Sequence, residues 1–173
     1  RKPIDTDELL ATLRGALDRL QAQQQQHQIA SLAIQTQTRT LLTTDREPEQ
    51  LQIIQALGIE FATQTTVRLI GVLNPLPPKD LVNYLRVIKA VKGFYTERED
   101  FIIVFQGTTD QLNIFINVAP HQIGVAHRPF LIGAPIKNVG QLRTRYIQLR
   151  REIARQYFFE TASGLRMMLP DTQ

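Results

Sequence analysis

Residues 67–73 read Val67-Arg68-Leu69-Ile70-Gly71-Val72-Leu73. Val67, Leu69, Gly71 and Leu73 alternate with Arg68, Ile70 and Val72, so an extended chain here is apolar on both faces. That is the pattern of a strand lying inside a sheet. The texture of the chain changes at the same place. Residues 5–64 contain two glycines and one proline and are rich in Gln, Leu and Ala, whereas the remainder alternates short apolar runs with Pro and Gly breaks.

Downstream, Asn74-Pro-Leu-Pro-Pro78 is a rigid connector. A helix is expected from about Lys79, with Leu81, Leu85, Ile88 and Val91 facing inward and Gly93 stopping it. Glu97-Arg-Glu-Asp100 reads as a solvated polar turn and Phe101–Gln106 as a strand. Gly107-Thr-Thr-Asp110 reads as a second turn, leading into an antiparallel strand over Leu112–Val118. The runs Ile123–Ala126 and Phe130–Ile132, broken by Pro and Gly, form one more strand, a hairpin or an ordered loop. A helix over 138–159 buries Val139, Leu142, Tyr146, Leu149, Ile153 and Tyr157, and Leu165–Leu169 supplies a final strand. The expected class is therefore α+β: a long N-terminal helix with a coiled-coil seam, then a ferredoxin-like βαββαβ sandwich. A β-rich barrel packed by two helices is the rival. The domain boundary is placed between a helical arm, 1–64, and an α+β domain, 65–173.

Upstream, Asp5, Thr6 and Asp7 offer N-caps for a helix running to about Gln35. Leu10, Leu13, Leu17 and Leu20 repeat at 3–4 spacing. Carried on by heptads, the seam passes Gln24, His27 and Ser31 and resumes at Ile34, Thr38 and Leu41. Such a stripe serves either packing on the helix's own domain or self-association as a homo-oligomer, a dimer in the simplest case. Ile29, Leu32 and Ala33 form a second stripe. Residues 36–44 hold five threonines, which favour extended chain over helix, so the helix is expected to give way near residue 35. Pro48 opens a second helix with Leu51, Ile54 and Leu57 on its apolar face and Gly58 as its stop. Ile59–Thr63 reads as a short strand.

The 173 residues are 43% hydrophobic, enough for a core. The absence of Cys excludes disulfides, zinc–thiolate sites and thiol nucleophiles, and fits a reducing, cytoplasmic setting. No apolar run approaches the ~20 residues that span a bilayer. The chain starts at Arg1, so a signal peptide, membrane anchor or further domain ahead of it stays open, and membrane contact is expected only through such upstream residues.

Chemistry-bearing motifs are few. There is no glycine-rich phosphate loop, H-E-x-x-H, G-x-S-x-G or C-x-x-C. His27 falls in the Gln-rich part of the first helix. His121 and His127 sit in a stretch, 111–137, without Asp or Glu, which leaves a metal short of ligands. With Arg128 they make one catalytic grouping; the clustered acids Glu97, Glu99 and Asp100 would make another, as general acid and base, only with burial to separate their pKa values, and a solvated turn is the preferred reading. The expectation is no enzyme, no metal, no cofactor and no small-molecule substrate.

Net charge is +4 and the pI about 9.7. Arg143, Arg145, Arg150, Arg151 and Arg155 put five arginines into thirteen residues of the last helix. Either they form a solvated face, or Arg143, Arg150, Arg151 and Arg155 bind an anionic partner. Nucleic acid is the secondary possibility. An RNA-binding sheet would need exposed aromatics; Phe101 and Phe105 share a face and Phe115 is expected on the polar one, too few for stacking. Leu76, Phe130–Ile132, Phe158, Phe159, Met167 and Met168 leave further apolar surface that either closes the core or contacts another chain, and Phe130, Phe158, Phe159, Met167 and Met168 are the candidates for a protein-partner surface.

These readings converge on a non-catalytic assembly or adaptor protein, a scaffold that self-associates through Leu10, Leu13, Leu17, Leu20 and Ile34 and presents its α+β domain to a protein partner. The alternative is nucleic-acid binding through the arginine-bearing helix. In architecture the arrangement resembles membrane-anchored assembly-platform subunits; that resemblance implies Arg1-Lys2 following a membrane helix on its cytoplasmic side.

Overall fold

Val67–Leu73 does lie in the middle of a sheet. The computed structural model describes residues 5–62, 64–73, 78–98, 100–122 and 130–163. Within them, β1 (Thr66–Val72), β2 (Val91–Glu97), β3 (Asp100–Gly107) and β4 (Phe130–Ile132) form one sheet of order β2-β3-β1-β4. Every neighbouring pair is antiparallel. The helices are α1 (Thr6–Thr43), α2 (Glu47–Leu57), α3 (Pro78–Val87), α4 (Thr109–Gln122) and, after a 3-10 turn at Val139–Gln141, α5 (Leu142–Ser163). The protein is thus a mixed helix-and-sheet chain led by a long helix. By contacts it divides into Arg1–Ala33 and Ile34–Gln173, a division earlier than the change in composition near residue 65. The second unit takes the last turns of α1 and all of α2.

The second unit has two cores, one on each face of the sheet. The period of two along β3 divides its side chains between them: Ile102 and Val104 enter one core, Phe101, Ile103 and Phe105 the other. The first core is closed by Leu41 and Leu42 from α1, Ile54 from α2 and Leu142, Tyr146, Leu149 and Ile153 from α5. The second is closed by Leu81 and Leu85 from α3 and by Leu112, Phe115 and Ala119 from α4. With helices on both faces, β3 is buried along its whole length.

Several local expectations are corrected. The threonine-rich segment 36–44 is helical to Thr43. Thr38 Oγ1 donates to the Ile34 carbonyl and Thr43 Oγ1 to that of Arg39, each at 2.8 Å. These bonds satisfy the hydroxyls inside the helix. Burial of Leu41 and Leu42 then outweighs the weak preference of threonine for extended chain. α3 stops at Val87, and Gly93 belongs to β2. A Cβ on Gly93 would lie 2.4 Å from Thr38 Oγ1 and 3.3 Å from Leu57 Cδ1. The glycine therefore allows α1 and α2 to approach the strand closely.

Leu112–Val118 is helix, not strand. Leu112, Phe115 and Ala119 are buried on the inner face of α4, and Ile114 and Val118 are exposed. A helix thus stands at 109–122 where a strand was expected, and the helix expected over 138–159 packs as α5 on the opposite face of the sheet. Ile59–Phe61 is not a strand. Instead the Gln106 side chain accepts from Glu60 N and donates to Glu60 O, at 2.9 and 2.7 Å. The second helix starts and stops as expected: Pro48 stands in its first turn and Gly58 caps it at φ 68°, a left-handed conformation that suits glycine. The proline connector 74–77, the run 123–126 and the strand expected at 165–169 lie outside the described residues.

Candidate functional site

Within Arg1–Ala33 the described structure is a single stretch of α1. Asp5 caps it, its Oδ1 accepting from Asp7 N at 3.1 Å. The helix carries Asp7 and Glu8 in its first turn, where acids complement the helix dipole. At about 1.5 Å per residue, residues 6–33 make a rod about 42 Å long. Leu10, Leu13, Leu17 and Leu20 lie along one stripe and are 46–58% exposed. Leu9, Ile29 and Leu32 are exposed as well. Ile34, the fifth seam residue, is different. It belongs to the second unit, where it is partly buried against the core that contains Phe94 and Phe105. Further along the same seam, Thr38 and Leu41 are fully buried.

On α5 the apolar stripe is buried as its spacing predicts, and the arginines take up much of the remaining circumference. Arg143, Arg151 and Arg155 are exposed, and Arg145 and Arg150 half-buried. Arg143 pairs with Asp45 at 3.7 Å and Arg155 with Glu152 at 4.0 Å. Successive residues on a helix are 100° apart, so Arg150 falls on the flank of Arg143, while Arg151 and Arg155 point progressively away. The four are not gathered on one face.

Of the residues expected on a partner surface, Phe130 is partly buried and stacks on Phe115 with ring centroids 5.8 Å apart. Phe158 is exposed on α5. The Phe159 side chain, Leu76, Met167 and Met168 lie outside the described residues, as do His127 and Arg128. His121 is exposed in the last turn of α4. His27 is exposed on α1.

The aromatic residues weighed for RNA stacking are all internal. Phe101, Phe105 and Phe115 are buried in the core under α3 and α4, and Phe115 is not on a polar face. Its expected exposure assumed a strand at 112–118; on a helix it turns inward beside Leu112 and Ala119. Asp100 also departs from its reading as a solvated turn residue. It is buried at the pairing position opposite Glu97, and it accepts a hydrogen bond from the Tyr157 hydroxyl. Its place next to Phe101, the first buried aromatic of β3, was the available signal. A second hydroxyl contact, Tyr95 to Tyr146 at 2.6 Å, lies inside the core against which Tyr157 also packs.

Among the described residues no group of three or more His, Cys, Asp or Glu side chains could hold a metal ion, and no helix is long and apolar enough to cross a membrane. Compared with protein-family models, with curated proteins and with solved structures, the chain matches none.

Proposed function

We propose that this chain is a non-catalytic assembly or adaptor protein. It self-associates as a homodimer through the leucine face of α1 and presents its α+β unit to a protein partner. One observation carries the proposal: Leu10, Leu13, Leu17 and Leu20 stand half exposed on a helix that, among the described residues, has no second element in its own unit. A lone helix in water is marginal, and an apolar stripe on it gains stability only by being covered. Covering the exposed half of each leucine contributes about 1 kcal/mol. A second copy of the same helix offers a matching stripe, whereas Gln24 and His27 in the seam weaken the contact and set its register.

The unit presented to the partner is read as a ferredoxin-like split β-α-β. The connection β1-α3-β2-β3-α4-β4, with antiparallel neighbours throughout, supports that reading. The cytoplasmic assignment belongs to the same proposal and rests on the absence of Cys.

Light scattering on the full chain over a range of concentrations tests self-association. The expected mass is twice 19.8 kDa. Replacing Leu13 and Leu17 together by Glu should return it to the monomer, with the melting of the sheet unit unchanged. A wild-type chain that stays monomeric at every concentration sinks the proposal.

Nucleic-acid binding through Arg143, Arg150, Arg151 and Arg155 is the weaker alternative. The arginines are spread over α5, and Arg143 and Arg155 take part in surface ion pairs. It requires retention on a phosphate-rich column that falls steeply with salt.

A further inference from the structure

We propose that the border between β1 and β4 docks an extended segment of a protein partner in which an Asp or Glu stands two residues from an apolar side chain. Arg68 takes the carboxylate and Ile132 the apolar group. The inference rests on the reading that the α+β unit meets a protein partner, and it names the surface used. Arg68 is the one charged residue of β1. Period two puts it on the face of Ile70 and Val72, and it pairs opposite the buried Phe105. It is half-buried, and burial holds its pKa below the usual value for arginine. Its Nη1 donates to the Gly133 carbonyl at 3.2 Å. A carbonyl does not neutralise the charge, and among the described residues no carboxylate lies within ion-pair distance of Arg68. A partly desolvated cation gains from an opposite charge, and the guanidinium has further N–H donors suited to the two oxygens of a carboxylate.

The neighbouring strand opens at the same place. Ile132 pairs with Ile70, and the next pairing is Val67 with Ile136. Residues 133–135 therefore stand against 68 and 69 alone, an extra residue that makes a bulge beside the edge strand β4. Bulges of this kind re-aim side chains and end pairing. Gly133 makes the close approach possible: a Cβ there would lie 2.9 Å from the Leu69 carbonyl oxygen, to which Gly133 N donates at 2.8 Å. The carbonyl that orients Arg68 is thus held by the backbone. Ile132 is 41% exposed and shares the face of Ile70, so it is the diagonal neighbour of Arg68. Diagonal neighbours lie ~7–8 Å apart, close to the ~6.6 Å between alternate residues of an extended chain. That match sets the spacing of acid and apolar group in the partner. Phe130, stacked on Phe115, joins this border to α4, and Val118, one turn along α4 from Phe115, is exposed as well.

The test is a titration of the full chain with the blocked peptide acetyl-Thr-Glu-Thr-Leu-Thr-amide, followed by NMR of the arginine Nε–Hε groups and the isoleucine methyls. Saturable shifts confined to Arg68 and Ile132 at millimolar peptide are expected, with Arg151 unmoved. Replacing the peptide's Glu by Gln should weaken binding about tenfold or more, the loss of a charge-assisted contact. Arg68→Gln should weaken it by as much and leave the melting temperature within a few degrees of the wild type, because the amide can still donate to the Gly133 carbonyl. If that variant does not fold, the comparison of the Glu and Gln peptides on the wild-type chain decides. Equal binding of the two peptides, full binding by a folded Arg68→Gln, or shifts shared by all arginines would overturn the proposal. Inorganic phosphate that moves Arg68 as strongly as the peptide would overturn it too, since the site would then read an anion and not a protein segment. Solution mass, read in parallel, reports on self-association separately.

Discussion

Two stretches of α1 follow one heptad seam and meet opposite fates. Over residues 10–20 the seam is four leucines about half in water; over residues 34–41 it is Ile34, Thr38 and Leu41, partly or wholly buried. The more hydrophobic stretch is thus the exposed one, and the more polar stretch is packed. In the second stretch Thr38 is tolerated inside because its hydroxyl bonds the Ile34 carbonyl and because Gly93 leaves room for it. Hydrophobicity along a helix states a need for cover, and the cover itself comes from what the rest of the chain, or another chain, places against it.

The largest difference between the two stretches is expected at Leu41. Leu41→Ala, at a fully buried position, should cost about 2–5 kcal/mol in denaturant unfolding, while Leu17→Ala should leave the unfolding of the sheet unit within about 0.5 kcal/mol. Equal effects would mean that the two stretches of seam are not energetically distinct. Gly93→Ala comes next. The added methyl would stand 2.4 Å from Thr38 Oγ1, so about 1–3 kcal/mol should be lost. Combining it with Thr38→Ala should recover part of that loss, because both changes act on one contact. Additive losses would show that Gly93 serves something other than this approach.

A smaller effect is expected at Tyr95. Tyr95→Phe removes the buried hydroxyl contact to Tyr146, so about 1 kcal/mol should go. The smallest is at the surface of α5. Arg143→Ala, which breaks an exposed ion pair with Asp45, should change the melting temperature by no more than about a degree or two. A large change there would reveal a further contact made by this helix.

Legibility follows the same logic. β1, β3, α2 and α5 can be read because each has one period that fits: two along Val67–Leu73 and Phe101–Gln106, and three to four through Leu142, Tyr146, Leu149 and Ile153. Gly58 marks the end of α2 because a left-handed cap is a local need. Leu112–Val118 misleads because its apolar residues satisfy both periods. Leu112, Ile114 and Ile116 alternate, while Leu112, Phe115 and Ala119 share a helical face, and only the aromatic contacts of Phe115 with Phe105 and Phe130 choose between them. The burial of Asp100 is illegible for a related reason. Tyr157, which donates to it, reaches it from 57 residues away.

Near neighbours in the chain are enough to settle which runs can bury a face, where a glycine or proline must interrupt them, and that the first helix carries an apolar stripe. Long-range packing decides that the sheet is covered on both faces, that threonines 36–43 remain helical and that Asp100 is drawn inside. The physical reason is one of scale. Local preferences amount to a few tenths of a kcal/mol per residue, whereas burying a side chain such as Leu41 or Phe105 is worth several times more. That burial depends on residues far away in the chain, which no local pattern names.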